Sequence, residues 1–176
     1  YLIRHAEADG NLYRVAQGQD DSSVTDRGLR QIGALERRFA GVPVDAAYSS
    51  DLYRTCRTAA AICGPRDLPL HRRRALREIC VGAWERRPWG EIYREDPVQM
   101  RNFLQDLGHW HVPGGEAPEA VQARMLACLR DIARENPDKV KSSYKSKIVL
   151  HTADQDLVTE ETLNIKTGVL RDMIER

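Results

Sequence analysis

Apolar residues recur along the chain in two rhythms, short runs and helical stripes. Tyr1–His5 (YLIRH) reads as the end of a buried strand. From Thr25 to Ala40 the apolar positions Leu29, Ile32, Leu35 and Phe39 fall on one stripe, which predicts a helix capped by Thr25 and ended by Gly41 and Pro43. Asp45–Ser49 reads as a short strand, Asp51–Cys63 as a helix broken by Gly64-Pro65, and Leu68–His71 as a further strand. Pro97–Leu107 and Glu116–Glu135 read as helices, the second with Val121, Met125, Leu129 and Ile132 on one face and Asn136-Pro137 as its stop. Lys147–His151 (KIVLH) is a last strand candidate. Alternating strands and helices predict an α/β domain with a mainly parallel sheet. Ligands of such sheets sit beyond the carboxyl ends of the strands, which singles out His5, Ser49 and His151.

Composition narrows the function classes. A chain of 176 residues suits one domain spanning 1–176. Its net charge of +1 removes the footprint of a general nucleic-acid binder. No apolar run approaches the ~18 residues a membrane span needs. The chain opens at Tyr1 inside an apolar stretch, so preceding residues are expected. Cys56, Cys63, Cys80 and Cys128 are scattered without a C-x-x-C pair, which fits reduced thiols in a cytoplasmic protein and no zinc site. Residues 1–138 contain 20 Arg and no Lys, whereas all five lysines lie in 139–176. This shift marks segment 139–176 as atypical: either a solvated surface or a stretch of different origin. Residues 139–147 read as a mobile connection. His109-x-His111 lacks a nearby carboxylate and reads as loop rather than metal site. The basic run His71–Arg74 reads as a solvated loop.

The chemistry gathers in an ordered set of motifs. These are R-H-A-E-x-x-x-N at Arg4–Asn11, then Gly18, V-T-D-R-G-L-R-Q at Val24–Gln31, S-S-D-L-Y-R-T-C-R-T-A at Ser49–Ala59, and L-R-E-I-C-V-G-A-W-E at Leu76–Glu85. A phosphate monoester is close to a dianion and calls for fixed positive charge with several donors. Arg4 and Arg54 offer guanidinium forks, Asn11 a neutral donor, and His5 a nucleophile whose neutral form is abundant at pH 7. Glu78 is a carboxyl group able to protonate a leaving oxygen. No metal or cofactor is required, because the arginines carry the charge.

From Tyr1 to about Pro137 the set resembles the histidine phosphatase superfamily, also called phosphoglycerate-mutase-like, with Ala6 where the family has Gly. The resemblance implies a three-layer α/β fold with helices on both faces of the sheet. It implies that His5 becomes phosphorylated, that Arg4 and Arg54 bind phosphate, that Glu78 is the proton donor, and that Asn11, Gln17 and Gly18 line a substrate loop. Arg57 is read as solvated, and Glu116 as supporting the start of the long helix. A second histidine falls on His151, followed by Thr152 instead of Gly; a competing register puts Lys166 there. The implied activity is metal-independent hydrolysis of a small phosphorylated metabolite through phosphohistidine. A mutase that re-transfers the phosphoryl group and a non-catalytic phosphate-binding member are the alternatives. Neither nucleic acid nor membrane is an expected partner; the oligomeric state stays open, a homodimer included.

Overall fold

The computed structural model describes residues 1–137. The chain divides into two compact units: Tyr1–Arg4 with the chain from Met125 onward, and His5–Arg124. The site-bearing unit is the second.

Its elements are α1 (Asp9–Leu12), α2 (Asp26–Phe39), β1 (Ala47–Ser49), α3 (Tyr53–Cys63), β2 (Leu70–Arg72), α4 (Trp89–Glu95), α5 (Pro97–Gln105) and the start of α6 (Pro118–Glu135). Helix α2 forms where the stripe predicts it, and Thr25 Oγ1 accepts a hydrogen bond from Gly28 N at 3.0 Å. The buried stripe is Gly28, Ile32, Leu35 and Phe39, whereas Leu29 is 44% exposed. The reason is steric. A Cβ at Gly28 would lie 2.2 Å from the carbonyl oxygen of Glu7, so the missing side chain lets that strip of helix sit closest to the chain. Helix α2 packs on α3, and β1 and β2 pair in parallel with Ala47 opposite Leu70 and Ser49 opposite Arg72.

Two expectations change here. Residues 1–7 carry no strand. Apolar content marks a segment fit to be buried, but a strand exists only through a ladder whose partner is remote in sequence. The basic run is not wholly loop either: His71 lies in β2 and stacks on Tyr48 at 5.0 Å, and the Arg73 guanidinium covers the same ring at 5.5 Å. The candidate strand Lys147–His151 lies outside the described residues, as do His151 and Lys166.

The core of this unit is aromatic. All three tryptophans join Phe103 in one cluster: Trp84 meets Trp110 and Phe103 edge-on at 5.8 Å, and Trp89 stacks on Phe103 at 5.7 Å. Ile79, Val81, Ile92 and Val112 are buried with it. Along residues 78–81 buried and more exposed positions alternate. Ile79 and Val81 anchor the segment in the core, so Glu78 before them and Cys80 between them face away from it.

In the described part of the first unit, α6 continues with Cys128 buried and Met125, Leu129 and Ile132 half-buried. Asn136 Nδ2 donates to the Ile132 carbonyl at 2.8 Å and closes the helix end. No described helix is long and apolar enough to cross a membrane.

Candidate active site

His5 precedes a segment tied to α3. Ala6 N donates to Thr58 Oγ1 at 2.9 Å, and that hydroxyl donates to the Arg54 carbonyl at 2.7 Å. The His5 backbone is thereby held beside the helical turn that bears Arg54. His5 Nδ1 lies 2.7 Å from the Ala6 carbonyl oxygen. A carbonyl only accepts, so Nδ1 carries the proton and the neutral ring has its lone pair on Nε2.

Arg54 is 2% exposed and grips the loop that follows Gln17. Nη1 donates to the Asp20 carbonyl at 2.7 Å and Nη2 to the Gly18 carbonyl at 2.9 Å, while Nε is buried without a partner. Burial pulls this guanidinium below its ordinary pKa, opposed by the carboxylates of Asp21, Glu78, Glu85 and Asp20. Arg57, one turn on, is exposed as expected.

The loop's other side is held by Glu85, which sequence reasoning passed over as part of a motif. Its Oε2 accepts from Gly18 N and Asp20 N, both at 3.0 Å, and its Oε1 from Gln19 N at 2.9 Å and Val81 N at 3.1 Å. One carboxylate thus satisfies four backbone donors from two segments. Gly18 must be glycine here, since a Cβ would lie 2.3 Å from both Glu85 Oε1 and the Ile79 carbonyl oxygen. Gln17 donates to Ser22 Oγ, and Asn11 Oδ1 accepts from Ala8 N at 3.0 Å. Asp21 closes the loop by accepting Tyr53 N on both oxygens, at 2.8 and 3.0 Å, at the start of α3.

Glu78 is exposed, and its backbone joins the same network: Gln19 Nε2 donates to its carbonyl at 3.3 Å. Beside it Arg77 forms a fork with Asp51 at 2.6 and 2.7 Å, and the Arg77 guanidinium holds the Asp51 carboxyl below the usual carboxylate range. Glu116 does not cap the long helix, which begins at Pro118. It pairs with Arg124 at 2.6 Å and accepts Cys80 N at 3.2 Å, and the Arg124 pairing lowers its pKa. A cleft of about 530 Å³ adjoins this pair, lined among others by Gln19, Arg74, Cys80, Gly115, Glu116 and Arg124.

Of the residues picked from sequence, His5, Gln17, Gly18, Arg54 and Glu78 are thus linked through one loop and its anchors. Asn11 fixes its own turn. Arg4 belongs to the other unit. His109 pairs with Asp106 at 2.8 Å, and no metal-binding cluster occurs among the described residues. Cys56, Cys63 and Cys80 are free thiols.

One compact α/β unit thus carries His5 with Nδ1 on a carbonyl oxygen, the buried Arg54 guanidinium, the exposed Glu78 carboxyl group and a braced loop. The chain belongs to the histidine phosphatase superfamily (branch 1), whose pattern matches residues 1–172. It is 36% identical over 132 residues to a Cronobacter sakazakii protein named "Probable phosphoglycerate mutase GpmB", with 73% of this chain and 60% of that protein covered. The chain therefore spans about 60% of the length of such relatives. Among solved structures it resembles Bacillus stearothermophilus YhfR, with 30% identity, TM-score 0.72 and coverage of 86% and 73% of the two chains. It also resembles the Shigella flexneri alpha-ribazole phosphatase, with 29% identity, TM-score 0.66 and coverage of 78% and 67%. The fold is the phosphoglycerate-mutase-like α/β fold.

Proposed function

We propose that this protein is a metal-independent phosphatase of small phosphomonoesters in the cytoplasm, working through a phosphohistidine. The observation that carries the reading is the His5 tautomer on a backbone fastened to the Arg54 turn. The Nε2 lone pair attacks phosphorus; the ester P–O bond breaks, and its electron pair leaves on the substrate oxygen. The Glu78 carboxyl proton passes to that oxygen, releasing the alcohol. The resulting carboxylate then takes a proton from the water that attacks the phosphohistidine, so inorganic phosphate leaves and His5 and the acid are regenerated. Arg54 uses the second N–H of each terminal nitrogen for phosphoryl oxygens, helped by Asn11 and the loop at Gln17 and Gly18; the family resemblance assigns phosphate-binding roles to Arg4 and His151 as well. The cleft beside Glu116 receives the leaving group.

His5→Ala is expected to lower phosphatase turnover by about 1000-fold or more with an unchanged melting curve. Acid-labile phosphate on the wild-type chain, absent from that variant, marks the intermediate. Undiminished turnover of His5→Ala refutes the nucleophile. The likeness to proteins named phosphoglycerate mutase supports a second reading, phosphoryl re-transfer. Incubation with 3-phosphoglycerate separates the two: inorganic phosphate supports the phosphatase, and 2-phosphoglycerate without phosphate release supports the mutase.

A further inference from the structure

Arg124 makes more contacts to the Glu78 segment than any surface pairing needs. Its Nη1 donates to the carbonyls of Ala75 at 2.7 Å and Arg77 at 2.8 Å, and its Nη2 donates to the carbonyl of Glu78 at 3.1 Å. The remaining donors, Nε and a second Nη2 bond, go to the two oxygens of Glu116 at 2.6 and 2.8 Å. Glu116 in turn accepts Cys80 N at 3.2 Å and Gln19 Nε2 at 3.3 Å. Two carbonyls before Glu78, the carbonyl of Glu78 itself and the amide two residues after it are therefore held by one ion pair. Glu78 has an exposed side chain whose Oε1 accepts a hydrogen bond from Ile79 N at 2.9 Å, so its direction follows the backbone on which both residues sit.

We propose that the Arg124–Glu116 pair is a positioning device for the proton donor: Arg124 fixes the peptide units around Glu78 so that its carboxyl group meets the leaving oxygen. Arg124 touches no reacting atom in this scheme and is a positioning residue. The inference rests on the reading of Glu78 as general acid. A lysine cannot replace it, because one ammonium presents three donors at a point and cannot span three carbonyls and a carboxylate.

The test uses leaving groups of different quality. A p-nitrophenyl group departs as a stable anion and needs little protonation, whereas an alkyl alkoxide needs the acid. Rates on p-nitrophenyl phosphate and on an alkyl phosphate are compared for wild type, Glu78→Gln, Arg124→Lys and Arg124→Met. Glu78→Gln is expected to slow the alkyl ester about 100-fold or more and the aryl ester far less. Arg124→Lys and Arg124→Met are expected to show the same selective loss, about 30-fold on the alkyl ester, mainly in kcat. The ratio of the two rates does not depend on the fraction of folded enzyme, so a destabilised variant still reports. Equal losses on both esters, or none, for the Arg124 variants while Glu78→Gln stays selective overturns the positioning role alone. A Glu78→Gln variant with no selectivity overturns the proton-donor reading on which it rests.

Discussion

Removing one oxygen acceptor from Glu85 tests how the site loop is held. In Glu85→Gln the side chain keeps its shape, but one carboxylate oxygen becomes an NH2 group facing two backbone N–H donors. Since each oxygen serves two amides, either flip of the amide leaves two of the four donors opposed by another donor. An unsatisfied donor costs about 1–3 kcal/mol, and the partly exposed amides regain some of this from water, so the expected loss is about 2–3 kcal/mol. In a chain of this size that lowers Tm by about 5–10 °C. Thermal unfolding followed by circular dichroism measures it. Phosphatase turnover should fall as well, because the Gly18 and Asp20 carbonyls on Arg54 belong to the same loop. A Glu85→Gln protein melting within about 1 °C of the parent refutes the view that this carboxylate organises the loop.

Glycine substitutions in α2 should have opposite signs. Gly28→Ala meets the Glu7 carbonyl oxygen at 2.2 Å and is expected to cost about 1–3 kcal/mol by urea unfolding. Gly33→Ala meets only Arg37 Nη1 at 3.6 Å and should gain about 0.5–1 kcal/mol. The carboxyls of Glu116 and Asp51 lie below their ordinary values, so the unfolded chain takes up protons first as pH falls. Their stabilisation is complete at neutral pH and is lost as pH drops below the ordinary carboxylate range near ~4; Glu116→Gln should flatten that acid limb in denaturation measured across pH. Arg66→Lys should cost about 1–3 kcal/mol in urea, while Arg57→Lys on the exposed face of α3 should stay within about 0.5 kcal/mol.

What the sequence made legible was local. The Thr25 cap, most of the α2 stripe and the stop at Asn136-Pro137 depend on neighbours within a few residues and appear where the pattern puts them, Leu29 alone giving its buried place to Gly28. The strand at Tyr1–His5 does not appear, because its pairing is remote. Glu85 was hidden for a similar reason: three of its four donors lie 65–67 residues away. For Arg124 a signal was present. It falls three residues after Val121 and beside Met125, on the half-buried stripe of α6, and a guanidinium at such a position needs partners. Ordered motifs singled out His5, Arg54 and Glu78 as candidates, but not the side chains that hold their segments.

The absence of lysine before residue 139 gains a physical reading from these contacts. Arg54 spans two loop carbonyls, Arg77 forks onto Asp51, and Arg124 joins three carbonyls to Glu116. Arg66 does the same outside the site, with Nη1 on the Ile62 carbonyl at 2.8 Å and Nη2 on those of Phe39 and Val42, so that it ties the end of α2 to the end of α3. Each arrangement uses donors that diverge from a flat group, which a point-like ammonium cannot copy. Solvation alone would let either cation serve, as it does at Arg57. Where arginine bridges separate carbonyls it acts as a structural joint, and the joints at Arg54 and Arg124 are what hold the loop after Gln17 and the segment around Glu78 in fixed geometry.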